Sequence, residues 1–105
     1  MPVKTKILER PRGKGTLLRG DAIVTEAPYD LTLSQTIHVV STLDGHTEEV
    51  EGLREVTGAL RMEPFLAVSL AGEELVLQLE DGRRLPIFII NNRGKIAARG
   101  WFEEG

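Results

Sequence analysis

From Asp30 to Leu43 the chain alternates, with Leu31, Leu33, Ile37, Val39 and Leu43 in one parity and Thr32, Ser34, Thr36, His38 and Thr42 in the other. A period of two is that of a β-strand with one buried and one wet face. Fourteen residues at ~3.3 Å each reach about 46 Å, more than a domain of this length is wide. The strand must therefore bend, turn or project past the body. Gln35 breaks the apolar parity and marks the expected bend.

The segment Glu74 to Ile90 reads as a hairpin, with Leu75, Leu77 and Leu79 before Glu80-Asp81-Gly82 and Leu85, Ile87 and Ile89 after it. Parity decides the loop length. A two-residue Asp81-Gly82 turn would pair Leu79 with Arg84 and split the leucines from the isoleucines across the two faces. A three-residue loop with Gly82 left-handed pairs Leu77 with Leu85 and Leu75 with Ile87, gathering all six on one face. The three-residue loop is expected. Pro86 cannot donate to a ladder, which predicts an edge strand or a bulge there.

Further strands are expected at about 3–9, 15–19, 22–27, 54–62, 65–70 and 95–101, separated by glycine-containing turns. Thr47 to Met62 reads two ways. Val50, Leu53, Val56 and Leu60 could trace a helical stripe, but Gly52 and Gly58 would each cost ~1 kcal/mol inside a helix. From Val56 onward, Val56, Gly58, Leu60 and Met62 alternate. The expected fold is all-β: one domain over residues 1–105, a small barrel or sandwich of about eight short antiparallel strands. No helix of three turns or more is expected.

Composition supports one packed domain, since 32 of the 105 residues are Ile, Leu, Val or Phe, well above the ~20% associated with disorder. There is no cysteine, so disulfides, thiolate nucleophiles and Cys-containing metal sites are excluded. The longest apolar runs, Phe65 to Val68 and Pro86 to Ile90, are far shorter than a membrane span of ~20 residues. A soluble, cytoplasmic protein is expected, with no membrane partner.

The formal net charge of −3 hides an uneven distribution. Residues 1–20 and 83–105 are net basic, and residues 21–82 are strongly acidic. The basic groups cluster in two similar phrases, Arg12-Gly13-Lys14 leading to Arg19-Gly20 and Arg93-Gly94-Lys95 leading to Arg99-Gly100. Interleaved ion pairs between neighbouring strands would account for them. A basic face toward nucleic acid or an acidic partner is the sharper reading, through Arg12, Lys14, Arg19, Arg93, Lys95 and Arg99.

Catalytic patterns are missing. Gly13, Gly15 and Gly20 match neither a dinucleotide fingerprint nor a P-loop. His38, Asp44 and His46 contain metal-ligand types, but nothing in their spacing converges them. Ser41, Asp44 and His46 lack the sharp strand-to-helix turn that exposes a nucleophile. Glu48, Glu49, Glu51 and Glu55 read as a solvated face, because adjacent strand residues point to opposite sides. No catalytic, cofactor or metal site is expected.

The expected function is therefore a non-enzymatic binding or assembly module that self-associates through a β-hairpin edge. The contact residues would be Val76, Phe88, Ile90, Trp101 and Phe102. The first three need cover on the outer face of the hairpin, and the aromatic pair lies near a terminus with few neighbours. A homo-oligomer, most commonly a two-fold pair, follows. The alternative is a small nucleic-acid-binding barrel using the basic glycine turns, although aromatic stacking platforms are scarce.

Overall fold

The structure, a computed structural model, describes residues 3–103. Seven antiparallel strands and one short helix follow in order. They are β1 (Val3–Glu9), β2 (Arg12–Arg19), β3 (Ala22–Ser41), β4 (Thr47–Leu60), α1 (Pro64–Leu70), β5 (Leu75–Gln78), β6 (Arg84–Ile89) and β7 (Lys95–Ala98). Within one sheet the pairings run β3–β2–β5–β6–β7–β4 and return to β3, with β1 added beside β3. The strands are not set evenly around an axis. All-β character is as expected; eight short strands is not, because β3 has 20 residues and β4 has 14.

The long strands arise from one continuous hairpin. Strands β1 and β2 lie end to end along one edge of β3, from Val3 opposite His38 to Arg19 opposite Ala22. Gly20-Asp21 closes them, with Gly20 at φ +60° supplying the left-handed position a two-residue turn needs. The separate segments expected at 22–27 and 30–43 are thus one strand that runs through Pro28. Pro28 is tolerated because its carbonyl accepts from Arg61 N at 2.9 Å. Its nitrogen faces the same side, past the end of β4, where no ladder donor is required.

Pro86 obeys the same geometry and corrects the edge-strand expectation. Strand β6 is flanked by β5 and β7. The Pro86 carbonyl accepts from Arg99 N at 2.8 Å, which puts the missing donor beyond the last residue of β7.

The hairpin register matches the parity argument. Leu77 faces Leu85 and Leu75 faces Ile87. Leu79 N donates to Arg83 O at 2.8 Å around a loop in which Gly82 has φ +92°. Leu75, Leu77, Leu79, Leu85, Ile87 and Ile89 are all buried, joined in the core by Leu17, Leu31, Leu33, Val56, Leu60 and Ile96.

Residues expected as a strand at 65–70 form α1 instead. Glu63 caps it, its carboxylate accepting from Phe65 N and Leu66 N at 3.3 Å each, and proline occupies the first turn. Only Ala67 and Leu70, one turn apart, are buried, while Phe65 and Val68 are exposed. Thr47 to Leu60, readable as helix or strand, is strand.

The principal extents are 57 × 28 × 20 Å and the radius of gyration is 16.6 Å, against about 13 Å for a compact chain of this length. The excess is an arm. Beyond Leu33, β3 leaves the core with β1 on one side and the first half of β4 on the other. The bend expected at Gln35 coincides with an irregularity in pairing, where Gly52 and Leu53 of β4 together oppose Thr36.

Candidate functional site

Two surfaces stand out, one on the arm and one on the body. On the arm, directly opposed residues share a face, so the pairing assigns each side chain. One face carries Lys4, Ile37 and Glu51 in one row and Lys6, Gln35 and Arg54 in another, with Val39 opposite Glu49. Lys4 Nζ reaches across to Glu49 Oε1 at 3.4 Å. The other face carries Val3, His38 and Val50 in one row and Ile7, Ser34 and Glu55 in another, with Thr5 and Thr36 between them and Val40 opposite Glu48 beyond the His38 row. Leu53, 77% exposed, lies at the irregularity beside this face.

Both long edges of the arm are open among the described residues. Strand β1 ends the sheet order, and β7 reaches β4 only at Thr57 to Ala59. These edges differ in sign. Strand β1 presents Lys4 and Lys6, and β4 presents Glu48, Glu49 and Glu51. By contrast, the Glu74–Ile90 hairpin has no open side of this kind, since β5 pairs with β2 and β6 with β7.

Of the residues expected to mediate self-association, Trp101 and Phe102 fold back against the junction of arm and body. Their rings meet edge to face at 5.4 Å. The Arg54 guanidinium lies 4.8 Å from the Trp101 ring and that of Arg83 lies 4.8 Å from Phe102. Arg83 also grips Glu9 with two hydrogen bonds of 3.1 and 2.7 Å and Asp81 with one of 2.7 Å. Val76 and Phe88 are half-buried on the outer face, Phe88 beneath the Arg99 guanidinium at 5.2 Å. Ile90 is exposed.

Asp81 is held below its ordinary carboxylate value, chiefly by the N–H donated from Arg83, with the Arg83 side chain adding to it. A lowered folded value means that ionised Asp81 stabilises the fold above the ordinary carboxylate range. That contribution is lost as pH falls through the folded value. Native protein is expected to lose more thermal stability than Asp81→Asn between about pH 5 and pH 2. Equal losses in a melting series would show that this turn does not couple protonation to folding.

The basic residues divide. Arg19 pairs with Glu73 at 3.8 Å, and Arg99 with Glu74 at 3.1 Å. Lys14 pairs with Glu26 at 3.4 Å, and Arg12 with Asp30 at 3.1 Å. Arg93 and Lys95 have no carboxylate within 4 Å among the described residues. Arg12 and Arg93, distant in sequence, line one open groove of about 580 Å³ with Arg61 and Asp30. Lys95 lines an adjoining one with Thr32, Thr57 and Arg93. The two basic phrases therefore contribute to one surface, while Arg19 and Arg99 are held by glutamates elsewhere. Arg61 was invisible as a partner because it follows an apolar strand in an acidic stretch.

The remaining polar groupings serve local structure. Asp44 accepts from the Thr42 hydroxyl and from His46 N, closing the turn at the arm tip. These hydrogen bonds, that of Thr42 first, hold the Asp44 carboxyl below its ordinary range. His38 is half-buried mid-arm beside Gly52. No family model matches this chain, and neither a curated protein nor a solved structure is significantly similar to it.

Proposed function

We propose that this chain is a self-associating assembly module, with a small barrel-like body and the three-stranded arm as its joining element. The observation that supports this reading is the pair of open arm edges with opposite charge. An unpaired strand edge is a template for another chain. Joining like edges would set Lys4 and Lys6 against lysines, or Glu49 and Glu51 against glutamates. Joining β1 of one copy to β4 of another at matched height sets Lys4 beside Glu51 on the charged face, with Glu49 the next same-face residue along β4.

Two copies suffice to satisfy both edges. Strands β1 and β4 both run antiparallel to β3, so a two-fold axis along the arm brings each β1 beside the other copy's β4. The charged face then lies outward. The face of Val3, Ile7, Val40 and Val50 turns inward, where its apolar surface is covered.

Sedimentation equilibrium at micromolar concentration tests the proposal. Native protein is expected at twice 11.6 kDa, and Lys4→Glu at the monomer mass. Adding Glu51→Lys to that variant should restore association. A single 11.6 kDa native species would overturn the reading. An associated Lys4→Glu variant would place the interface elsewhere.

A further inference from the structure

The basic groove on the body has an order that the individual ion pairs conceal. Arg12 is opposite Asp30, Asp30 opposite Ala59 and Ala59 opposite Lys95. These four positions form one row across β2, β3, β4 and β7, all on the outward face. Three strand spacings of ~4.8 Å separate its basic ends by about 14 Å. Arg61 lies one step along, its backbone N–H bonded to Pro28 O at 2.9 Å. The turn bearing Arg93 is tied to the same place by Leu60 N donating to Gly94 O at 2.8 Å. Arg12, Arg61, Arg93 and Lys95 thus stand around a floor of Pro28, Ala59, Thr32 and Thr57, with Asp30 the one carboxylate lining it among the described residues.

We propose that this strip binds the phosphodiester backbone of a single-stranded nucleic acid. In a chain of net charge −3, four cations gathered around one carboxylate form a local anion site against the overall sign. Arg61, Arg93 and Lys95 are not neutralised by any carboxylate within 4 Å among the described residues. Arg12 is held by Asp30, which fixes one end of the row.

The absence of an exposed apolar anchor along this floor favours phosphate over an acidic protein. Protein interfaces depend on buried aromatic or aliphatic centres, whereas backbone neutralisation of a nucleic acid needs only charge. Tyr29, the aromatic side chain here, is 6% exposed and its hydroxyl accepts from Glu80 N. It offers no stacking platform, so binding is independent of base sequence. A flexible single strand can bend to follow this open row of cations, whereas a stiff duplex bends only at a cost in energy.

Fluorescence anisotropy with a labelled 20-nucleotide oligothymidylate tests the proposal. Affinity is expected to fall about 20- to 50-fold between 50 and 200 mM salt, as for three or four phosphate contacts on a single strand. Arg61→Ala/Arg93→Ala/Lys95→Ala should bind at least about tenfold more weakly at 50 mM salt, with a salt effect below about threefold. Arg61→Lys/Arg93→Lys, which keeps the charge, should bind within a few-fold of native protein. Arg19→Ala/Arg99→Ala should leave binding unchanged.

Three results would overturn it: no binding at 50 mM salt, native affinity in the triple variant, or equal loss in the Arg19 and Arg99 control. Competition by polyglutamate as effective as by unlabelled oligonucleotide would assign the strip to an acidic protein instead. A duplex that binds as tightly as the single strand would remove the strand preference. Arg61, Arg93 and Lys95 lie outside the arm pairing on which association rests, so failure of this proposal leaves that one standing.

Discussion

Replacing Gly94 by alanine is expected to cost about 3 kcal/mol or more, lowering the thermal midpoint by over ~12 °C. Gly94 has φ +77°, a conformation that costs an L-residue ~1–2 kcal/mol by itself. The larger part is steric. A Cβ there would overlap the carbonyl oxygen of Leu60, in a backbone held by the Leu60 N–H to Gly94 O hydrogen bond and by the buried Leu60 side chain. Neither backbone can retreat without opening the join between β4 and the turn before β7. Gly82 provides the control, because its φ of +92° is equally left-handed but a Cβ there meets nothing within 4 Å. Gly82→Ala should cost only ~1–2 kcal/mol. Equal costs in denaturant titrations would show that the contact with Leu60 is not what the fold requires of Gly94.

Leu77→Ala is expected to cost ~2–5 kcal/mol. Leu77 is fully buried and is central to the hairpin, paired with Leu85 on one side and Leu17 on the other. Its Cδ1 also fills the space left by Gly15, where a Cβ would come within 2.9 Å. Truncation leaves a void bounded by three strands whose pairing keeps them from collapsing into it. Val68→Ala on the exposed face of α1 should fall within about 0.5 kcal/mol of neutral. A Leu77→Ala variant equally close to neutral would refute the inward assignment of this whole parity class.

Local pattern was enough for much of the body. The loop Glu80-Asp81-Gly82 followed from parity because a one-residue slip exchanges the faces of an entire strand, and no core could absorb that. The irregularity at Thr36, Gly52 and Leu53 was foreshadowed by Gln35, where the apolar alternation fails. Residues 65–70 misled because a short apolar run looks alike in either state. Capping by Glu63 and Pro64 decided it, together with a body that had room to bury Ala67 and Leu70 alone. Pro86 misled for a different reason: a missing donor is harmless in an interior strand if the neighbour has already ended there.

What the amino-acid order determined by itself was the two-residue period, the hairpin register and the core residues they select, since these depend on side-chain alternation within one strand or across one tight turn. Tertiary structure decided which distant segments became neighbours. Arg12, Ala59 and Lys95 share a row only because β3 and β4 intervene in register, and alternation inside any one strand carries no information about that partner. The open arm arose likewise. Strands β1, β3 and β4 outrun the core that the shorter β5, β6 and β7 can enclose, and only the assembled sheet shows which edges are left with unpaired backbone groups.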